Sequence, residues 1–182
     1  KIPFVTIDPS DARDHDDAVY SHPDKDPSNI GGHVLWVAIA DVAHFVKPGS
    51  ALDEEARKRG NSTYFADRVV PMLPDRLSGD LCSIHEGIER PCLAVCMTID
   101  KSGKKLKQTF HRAKIKSVAS LNYEEVQKSV EGTVNEKVKP HFKNVIKPLY
   151  ESYFCLKKSK DVRQPLDLDL PERKVELFKN GR

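Results

Sequence analysis

The apolar positions of this chain form short continuous runs in the first 120 residues and recur at helical spacing in the final third. Residues 2–8 (IPFVTID) and 33–42 (HVLWVAIADV) are runs of the kind that fill a sheet interior. Each predicted strand leads into an aspartate, Asp8 and Asp41 respectively, and residues 18–21 (AVYS) continue the extended pattern. The pattern therefore predicts a sheet that presents carboxylates where its strands end.

Two longer segments predict a hairpin and a helix. Residues 92–100 (CLAVCMTID) and 106–118 (LKQTFHRAKIKSV) flank the turn sequence KSGK and predict a hairpin with a basic second strand. In residues 140–159 apolar side chains repeat every three or four positions, which predicts a helix with one buried face and a kink at Pro148. Residues 165–178 (PLDLDLPERKVELF) predict an extended segment after the helix ends.

Helix-start and helix-stop residues divide the middle of the chain. Ser50 as N-cap, Asp53 three positions later and Gly60 as terminator predict a short helix with a capping box. Residues 61–65 (NSTYF) predict a short strand or extended segment, and 69–83 predict a loop with one helical turn because two prolines interrupt them. Together these elements predict an α+β fold, with a mixed β-sheet core and flanking helices.

Length and composition fit an ordinary soluble domain. The 182 residues are 38% hydrophobic and 31% charged, as in folded globular proteins. No run approaches the roughly 20 apolar residues of a membrane span, and no secretion signal opens the chain, so we expect a cytoplasmic protein with no membrane partner. The cysteine spacings do not match a zinc site and predict reduced core thiols. These cysteines are Cys82, Cys92, Cys96 and Cys155.

Charge is unevenly distributed along the chain, although the net charge is only +3. Residues 101–163 hold 16 Lys or Arg against 6 Asp or Glu, whereas residues 7–20 carry five acids and one Arg. On charge alone a solvated, lysine-rich helix face is the simpler interpretation. A basic flank beside an acidic pocket also suits a polyanionic substrate whose cleavage needs metal ions.

The acidic run is the strongest candidate for chemistry. Its five aspartates are Asp8, Asp11, Asp14, Asp16 and Asp17. Close carboxylates repel each other by roughly 4 kcal/mol per pair at about 4 Å in an effective dielectric near 20. The run lacks the glycine and the final glutamate of an EF-hand loop, which leaves a solvated acidic loop or a magnesium site. Its place between two predicted strands favours a site, and paired Mg²⁺ ions stabilise phosphodiester displacement.

The sequence around the run is specific enough to suggest a family. The stretch TIDPSDARDHDDAV closely resembles the signature of the ribonuclease II and ribonuclease R family. Residues 36–84, which include the NSTYF and PMLP segments, resemble the part of the family's RNB-type catalytic domain that follows that signature. Residues 164–175 (QPLDLDLPERKV) resemble the ribonuclease R branch. The resemblance thus runs through nearly the whole chain.

The resemblance implies a hydrolytic 3′→5′ exoribonuclease that degrades single-stranded RNA processively and releases nucleoside 5′-monophosphates. It implies two Mg²⁺ ions in the complete site, with Mn²⁺ as a substitute. Asp8, Asp14, Asp16 and Asp17 fall on the family's four active-site aspartates. Asp8 and Asp17 would be metal ligands, and Asp14 would support the metal site. Asp16 would ligate or position the second metal and the attacking water.

Other candidate residues lie on either side of that set. Tyr64 falls on the family's tyrosine that stacks on the 3′-terminal bases, although a core aromatic is the alternative reading. Arg68 is a candidate phosphate contact or else a member of a surface ion pair. We expect His15 to lie behind the metal ligands or to face outward, because hard cations prefer oxygen. We expect Asp41 and His44 to hold their loop by hydrogen bonds.

The resemblance also sets the expected extent of the chain. The family's catalytic domain continues past residue 182 with an arginine-rich segment, and cold-shock and S1 domains flank it, so residues 1–182 should be its N-terminal portion. The alternatives are a non-hydrolysing RNA-binding module or a catalytically idle fragment. A third alternative, an unrelated metal-dependent phosphatase, is disfavoured because this chain has no obvious strand-borne D-x-D motif. We expect the parent protein to be monomeric and the fragment to self-associate through exposed apolar surface.

Overall fold

The computed structural model describes residues 1–166, and this part of the chain contains two sheets and several helices. The strands are β1 (Val5–Asp8), β2 (Asp17–Pro23), β3 (His33–Ala40), β4 (Thr63–Tyr64), β5 (Val69–Val70), β6 (Glu89–Ile99), β7 (Lys105–Lys116) and β8 (Ala119–Asn122). The α-helices are α1 (Val42–Phe45), α2 (Ala51–Arg59), α3 (Tyr123–Val130), α4 (Lys139–His141) and α5 (Lys147–Val162). One π-helical turn spans Arg76–Leu81 and another spans Phe142–Ile146.

Six strands form one mixed sheet in the order β7-β6-β3-β2-β1-β8, and β4 pairs with β5 in a separate hairpin. Neighbours in the large sheet are antiparallel except for β1 and β8, which run parallel. Only Ser117 and Val118 connect β7 to β8, which lie at opposite edges of the sheet. Because so short a link spans only about 10 Å, the sheet must roll until these edges approach each other.

The core has two parts, one on each face of the sheet. On the first face small side chains from the central strands, such as Ala38 and Ala94, pack with Phe4 and Ile84. Small residues leave room for the turn around residues 76–84 to approach the sheet closely. On the second face β1 and β8 pack against the helical segments, with a cluster made of Val5, Ala119, Leu121, Val126, Val138, Val145 and Ile146.

The sheet and helices confirm most of the predicted elements. The helix after Ser50 begins at Ala51, where the Ser50 hydroxyl accepts from the Asp53 backbone N–H at 3.3 Å, and it ends at Gly60. The predicted capping box is only half formed, because the Asp53 carboxylate accepts from Gly49 N–H at 2.9 Å. The long hairpin forms as β6 and β7. The α+β fold with a mixed sheet and flanking helices is therefore correct.

Two predictions need correction in detail. Residues 69–70 were expected in a loop, yet they form β5, because they pair with the NSTYF strand four residues before them. The irregularity expected at Pro148 takes the form of the π-helical segment directly preceding α5, and Pro148 itself sits in the first turn of α5. The predicted extended segment at 165–178 lies outside the described residues apart from positions 165–166, which belong to no regular element.

In residues 1–166 no helix combines the length and apolar character needed to cross a membrane. The four cysteines are all free; Cys82, Cys92 and Cys155 are buried, as predicted, whereas Cys96 is only partly buried.

Candidate functional site

The strand directions bring the aspartates to one end of the sheet. β1 ends at Asp8, and its antiparallel neighbour β2 begins at Asp17, so both residues lie at the same end. β3 ends there too, and the Ala40 backbone N–H donates to the Asp16 carbonyl at 2.9 Å. The β1–β2 ladder consists of the single pair Val5↔Val19, so the two strands are not paired at their aspartate-bearing ends.

His15 holds the loop that carries the aspartates. Its backbone N–H donates to the Ser83 hydroxyl at 2.9 Å, and its carbonyl accepts from Ile84 N–H at 2.8 Å. Ser83 and Ile84 are completely buried. Because both polar groups of the His15 backbone are bound to this buried turn, the position of the loop is fixed by tertiary contacts.

The His15 side chain contacts the first aspartate directly. Its Nδ1 lies 2.7 Å from Oδ2 of Asp8, and the side chains expose only 16% and 14% of their surface respectively. The His85 ring packs edge-on against the His15 ring, with 5.9 Å between centroids. An Nδ1–H that donates to the carboxylate fixes the orientation of Asp8, so His15 lies beside the acidic cluster as a supporting residue, as expected.

The remaining aspartates interact electrostatically. Partial loss of hydration raises the pKa of Asp16, the carboxylates of Asp14 and Asp8 raise it further, and His15 opposes them. The pKa of Asp17 is raised by the same loss of hydration and then by Asp8 and Asp16. Both side chains remain accessible at the surface. The four predicted site aspartates therefore form one electrostatically coupled group.

This group has the oxygen donors that a hard cation requires. Within residues 1–166 no three His, Cys, Asp or Glu side chains converge closely enough to form a ready-made metal cage. Mg²⁺ does not need such a cage, because it commonly keeps several waters and uses one or two carboxylates with substrate phosphates. The coupled carboxylates fit Mg²⁺ in their chemistry.

Tyr64 lies on a different element, the β4–β5 hairpin. Tyr64 is 72% exposed, so it is not a core aromatic of the described part of the chain. The strand pairs Tyr64 with Val69, and the turn closes where Phe65 N–H donates to the Arg68 carbonyl at 2.8 Å. Phe65 is also half exposed, although nothing in the sequence pattern distinguishes it from a core aromatic. Two neighbouring aromatic rings are thus available at the surface.

Arg68 already has partners on the same hairpin. Its guanidinium lies 4.9 Å from the centre of the Phe65 ring, and Nη1 pairs with the Asp67 carboxylate at 2.8 Å. Both members of the ion pair are largely exposed, so the pair is weak in water. Arg68 can therefore leave the Asp67 carboxylate and bind another anion at little cost in free energy.

Asp41 holds its loop by a hydrogen bond, as expected, because its carbonyl accepts from His44 N–H at 2.9 Å. Its carboxylate also accepts from Arg112 Nε at 3.0 Å and Nη2 at 2.7 Å, which ties the end of β3 to β7. The neighbouring His44 ring packs edge-on against Phe45. Ala40, the residue before Asp41, donates its backbone N–H to the Asp16 carbonyl at 2.9 Å, so Asp41 lies next to the acidic cluster.

With this geometry established, comparison with known proteins identifies the family. The model of the RNB domain matches residues 1–182. The chain belongs to the RNB domain family. A ribonuclease R of Vibrio parahaemolyticus is 43% identical over 177 residues, which cover 96% of this chain and 20% of that protein. This RNB chain spans about a fifth of the length of that curated relative.

Solved structures agree with the RNB assignment. A Mycoplasma genitalium RNase R in complex with double-stranded RNA matches with a TM-score of 0.86 and 30% identity, covering 100% of this chain and 31% of that one. A yeast protein, Ssd1, described as a pseudonuclease, matches 77% of this chain and 17% of its own with a TM-score of 0.62. At 20% identity the latter likeness shows only a shared fold.

Proposed function

We propose that this RNB chain is the N-terminal portion of the catalytic domain of a 3′→5′ exoribonuclease. The parent enzyme hydrolyses single-stranded RNA processively and releases nucleoside 5′-monophosphates. The observation that carries the proposal is the position of Asp8, Asp16 and Asp17 at one end of the sheet, with Asp14 in the same loop and close enough to interact with Asp16. Close relatives that bear the name ribonuclease R support the same reaction class.

The four aspartates would hold two Mg²⁺ ions, as in paired-metal nuclease sites, with Mn²⁺ as a substitute. Bound Mg²⁺ supplies positive charge that polarises the scissile phosphate and activates water. The chain itself has to hold these mutually repelling carboxylates close together. The Asp8 carboxylate is oriented by His15 at 2.7 Å, and Asp16 is fixed through its backbone bond to Ala40.

Tyr64 and Arg68 would bind the RNA. An exposed tyrosine offers an aromatic face on which a base stacks, and stacking contributes roughly 1–3 kcal/mol per base. Arg68 would exchange its exposed Asp67 partner for a phosphate of the chain. Phe65, which lies under the Arg68 guanidinium, would keep that cation in place.

A non-hydrolysing RNA-binding module, or an idle fragment, is the second candidate. The exposed β4–β5 hairpin favours it, because a binding module needs only such an accessible surface. The two functions differ in one chemical property, which is whether the phosphodiester bond breaks.

The decisive experiment incubates single-stranded RNA, labelled at the 3′ or the 5′ end, with this chain and with the longer parent protein. Mg²⁺ is present in one series and replaced by EDTA in the other. The exoribonuclease releases labelled mononucleotide at once from 3′-labelled RNA, whereas the label of 5′-labelled RNA stays in a shortening chain and ends in the short undigested product. Intact RNA with the parent protein in Mg²⁺, together with a gel shift, would leave the binding module as the function.

Two properties of the chain's surroundings belong to the same proposal. Its free thiols suit a reducing compartment such as the cytoplasm.

Three apolar residues are exposed on one face of the sheet, namely Ile39, Leu93 and Phe110. In the parent enzyme, a monomer, other segments would cover this face. The isolated chain would self-associate through it. Sedimentation of the chain over a range of concentrations tests the self-association.

A further inference from the structure

Arg90, near the start of β6, has an unusual set of contacts for a charged residue. Its side chain is only 13% exposed, and Nη2 pairs with the Asp80 carboxylate at 2.6 Å. Nε donates to two backbone carbonyls, that of Ser83 at 3.0 Å and that of Asp80 at 3.2 Å. A single guanidinium thus binds both ends of the turn at residues 80–83.

That turn is the support of His15. The Ser83 hydroxyl accepts the His15 backbone N–H, and Ile84 N–H donates to the His15 carbonyl. The same segment holds the imidazole from the side, because His85 packs edge-on against it while His85 Nε2 lies 2.9 Å from the Gly79 carbonyl. Backbone and ring of His15 therefore both depend on one short segment.

The last step reaches the acidic cluster. His15 Nδ1 lies 2.7 Å from Asp8 Oδ2, so the orientation of the Asp8 carboxylate depends on where the imidazole sits. A continuous path of short contacts leads from Arg90 through the turn and His15 to Asp8. The links at Ser83 and Ile84 are hydrogen bonds to fully buried residues, which leaves little room for a compensating shift there. The Asp80 carboxylate, by contrast, is 57% exposed.

We propose that Arg90 is a positioning residue for the Asp8 carboxylate, acting through the turn at residues 80–83 and through His15. This inference rests on the proposed function for its importance to metal binding, while the path itself is a property of the folded chain. Arginine suits the task because its planar guanidinium donates several hydrogen bonds in fixed directions and keeps its charge at all physiological pH values. Lysine supplies the charge without that geometry.

Two measurements on this chain test the proposal. The affinity for Mn²⁺ alone, measured by titration calorimetry, should fall by about tenfold or more in Arg90→Ala, as expected when the support of a metal ligand is lost. Without metal, ¹⁵N NMR of the neutral imidazoles should show His15 as the Nδ1–H tautomer. Arg90→Ala should shift it towards Nε2–H. Arg90→Lys should restore neither property fully.

Arg59→Ala is the matched control. Arg59 also pairs with one carboxylate, Glu55 at 2.9 Å, and donates to one backbone carbonyl, that of Pro71 at 2.8 Å, but it lies on α2. It should change neither measurement. If Arg90→Ala does not fold, Arg90→Lys carries the test of Arg90, and Ser83→Ala tests the next link of the path, because it removes only the hydroxyl that accepts from His15.

The outcomes separate the two proposals. Unchanged Mn²⁺ affinity together with an unchanged His15 tautomer in a folded Arg90→Ala chain would overturn the positioning role. Failure of the wild-type chain to bind Mn²⁺ would count against the metal step of the proposed function. In that case the tautomer of His15 in the variants still decides whether Arg90 positions the residues around Asp8.

Discussion

The acidic end of the large sheet and the β4–β5 hairpin contain the candidate site residues, and they are built in opposite ways. The acidic end is held by ladders of backbone hydrogen bonds and by a buried turn that binds His15. The hairpin consists of two-residue strands, and Tyr64 and Val69 both face solvent. The first region is preorganised within this chain, whereas the second exposes side chains that are free to contact another molecule or segment.

The difference matches the demands of the two tasks. Carboxylates that hold a cation must be kept close despite their repulsion, so their support has to be rigid. A tyrosine that stacks on bases has to be accessible, and its stacking is tolerant of base identity. The following predictions test whether the two regions really differ in this way.

The largest expected contrast is in stability. Ile84→Ala beside the acidic end should lower the free energy of unfolding by about 2–5 kcal/mol, because it leaves a cavity at a fully buried position. Tyr64→Ala on the hairpin should change it by less than about 0.5 kcal/mol, as at most surface positions. Urea unfolding of both variants gives the two values. Equal losses would mean that the hairpin is packed in solution.

Asp16→Asn should then affect catalysis more than binding. In the longer parent protein it should reduce RNA hydrolysis about a hundredfold or more, because the lost charge acts mainly in the transition state. RNA affinity should stay nearly constant, since the shape of the side chain is kept. Single-turnover rates and filter binding supply the two numbers, and Asp161→Asn on α5 is the control. A loss confined to affinity would make Asp16 a binding residue.

Tyr64→Ala, in the same parent protein, should affect RNA binding more than hydrolysis. Loss of one base–aromatic stack should weaken binding of short oligonucleotides by about 1–3 kcal/mol and change the length of the final undigested product. Tyr64→Phe retains the ring and should behave like the wild type. A product ladder that is identical in all three proteins would exclude stacking by Tyr64.

Divalent cations should stabilise the acidic end specifically. At a tenfold excess over Kd, Mg²⁺ should add about 1.4 kcal/mol to the stability of the chain. Thermal melts should therefore rise with Mg²⁺, and the rise should disappear in Asp8→Asn/Asp17→Asn. The Tyr64→Ala variant should keep the full rise. An undiminished rise in the double variant would place the cation elsewhere.

The smallest effect concerns pH in the absence of divalent cations. The pKa values of Asp16 and Asp17 are raised in the folded chain, chiefly by loss of hydration, from an ordinary value of 3.8. The folded state then binds more protons than the unfolded state as pH rises above that value, so the stabilising contribution of these two groups is lost. As the pH is raised across the mildly acidic range, the urea midpoint should therefore fall less in Asp16→Asn/Asp17→Asn than in the wild type. Parallel pH profiles would contradict the coupling.

Local sequence patterns predicted most of the strands and helices and pointed to the four site aspartates. Asp8 could be placed at a strand end because apolar runs and proline mark strand boundaries within a few residues. Val69 and Val70 were missed as a strand, since a two-residue strand carries too little periodicity to be recognised. Arg90 and Ser83 left no local signal either, because nothing in the spacing of residues 80–90 refers to His15.

The sequence by itself determined that carboxylates follow apolar strands and that Tyr64 lies in a short polar-flanked segment. These properties depend on neighbours along the chain, through the alternation of side chains and the conformational limits of proline and glycine. Only the tertiary structure decided that His15 bonds to Ser83, 68 positions away, and that Asp41 bonds to Arg112, 71 positions away. Such pairs follow from sheet register and from the rolling of the sheet, which are set by the packing of the whole core.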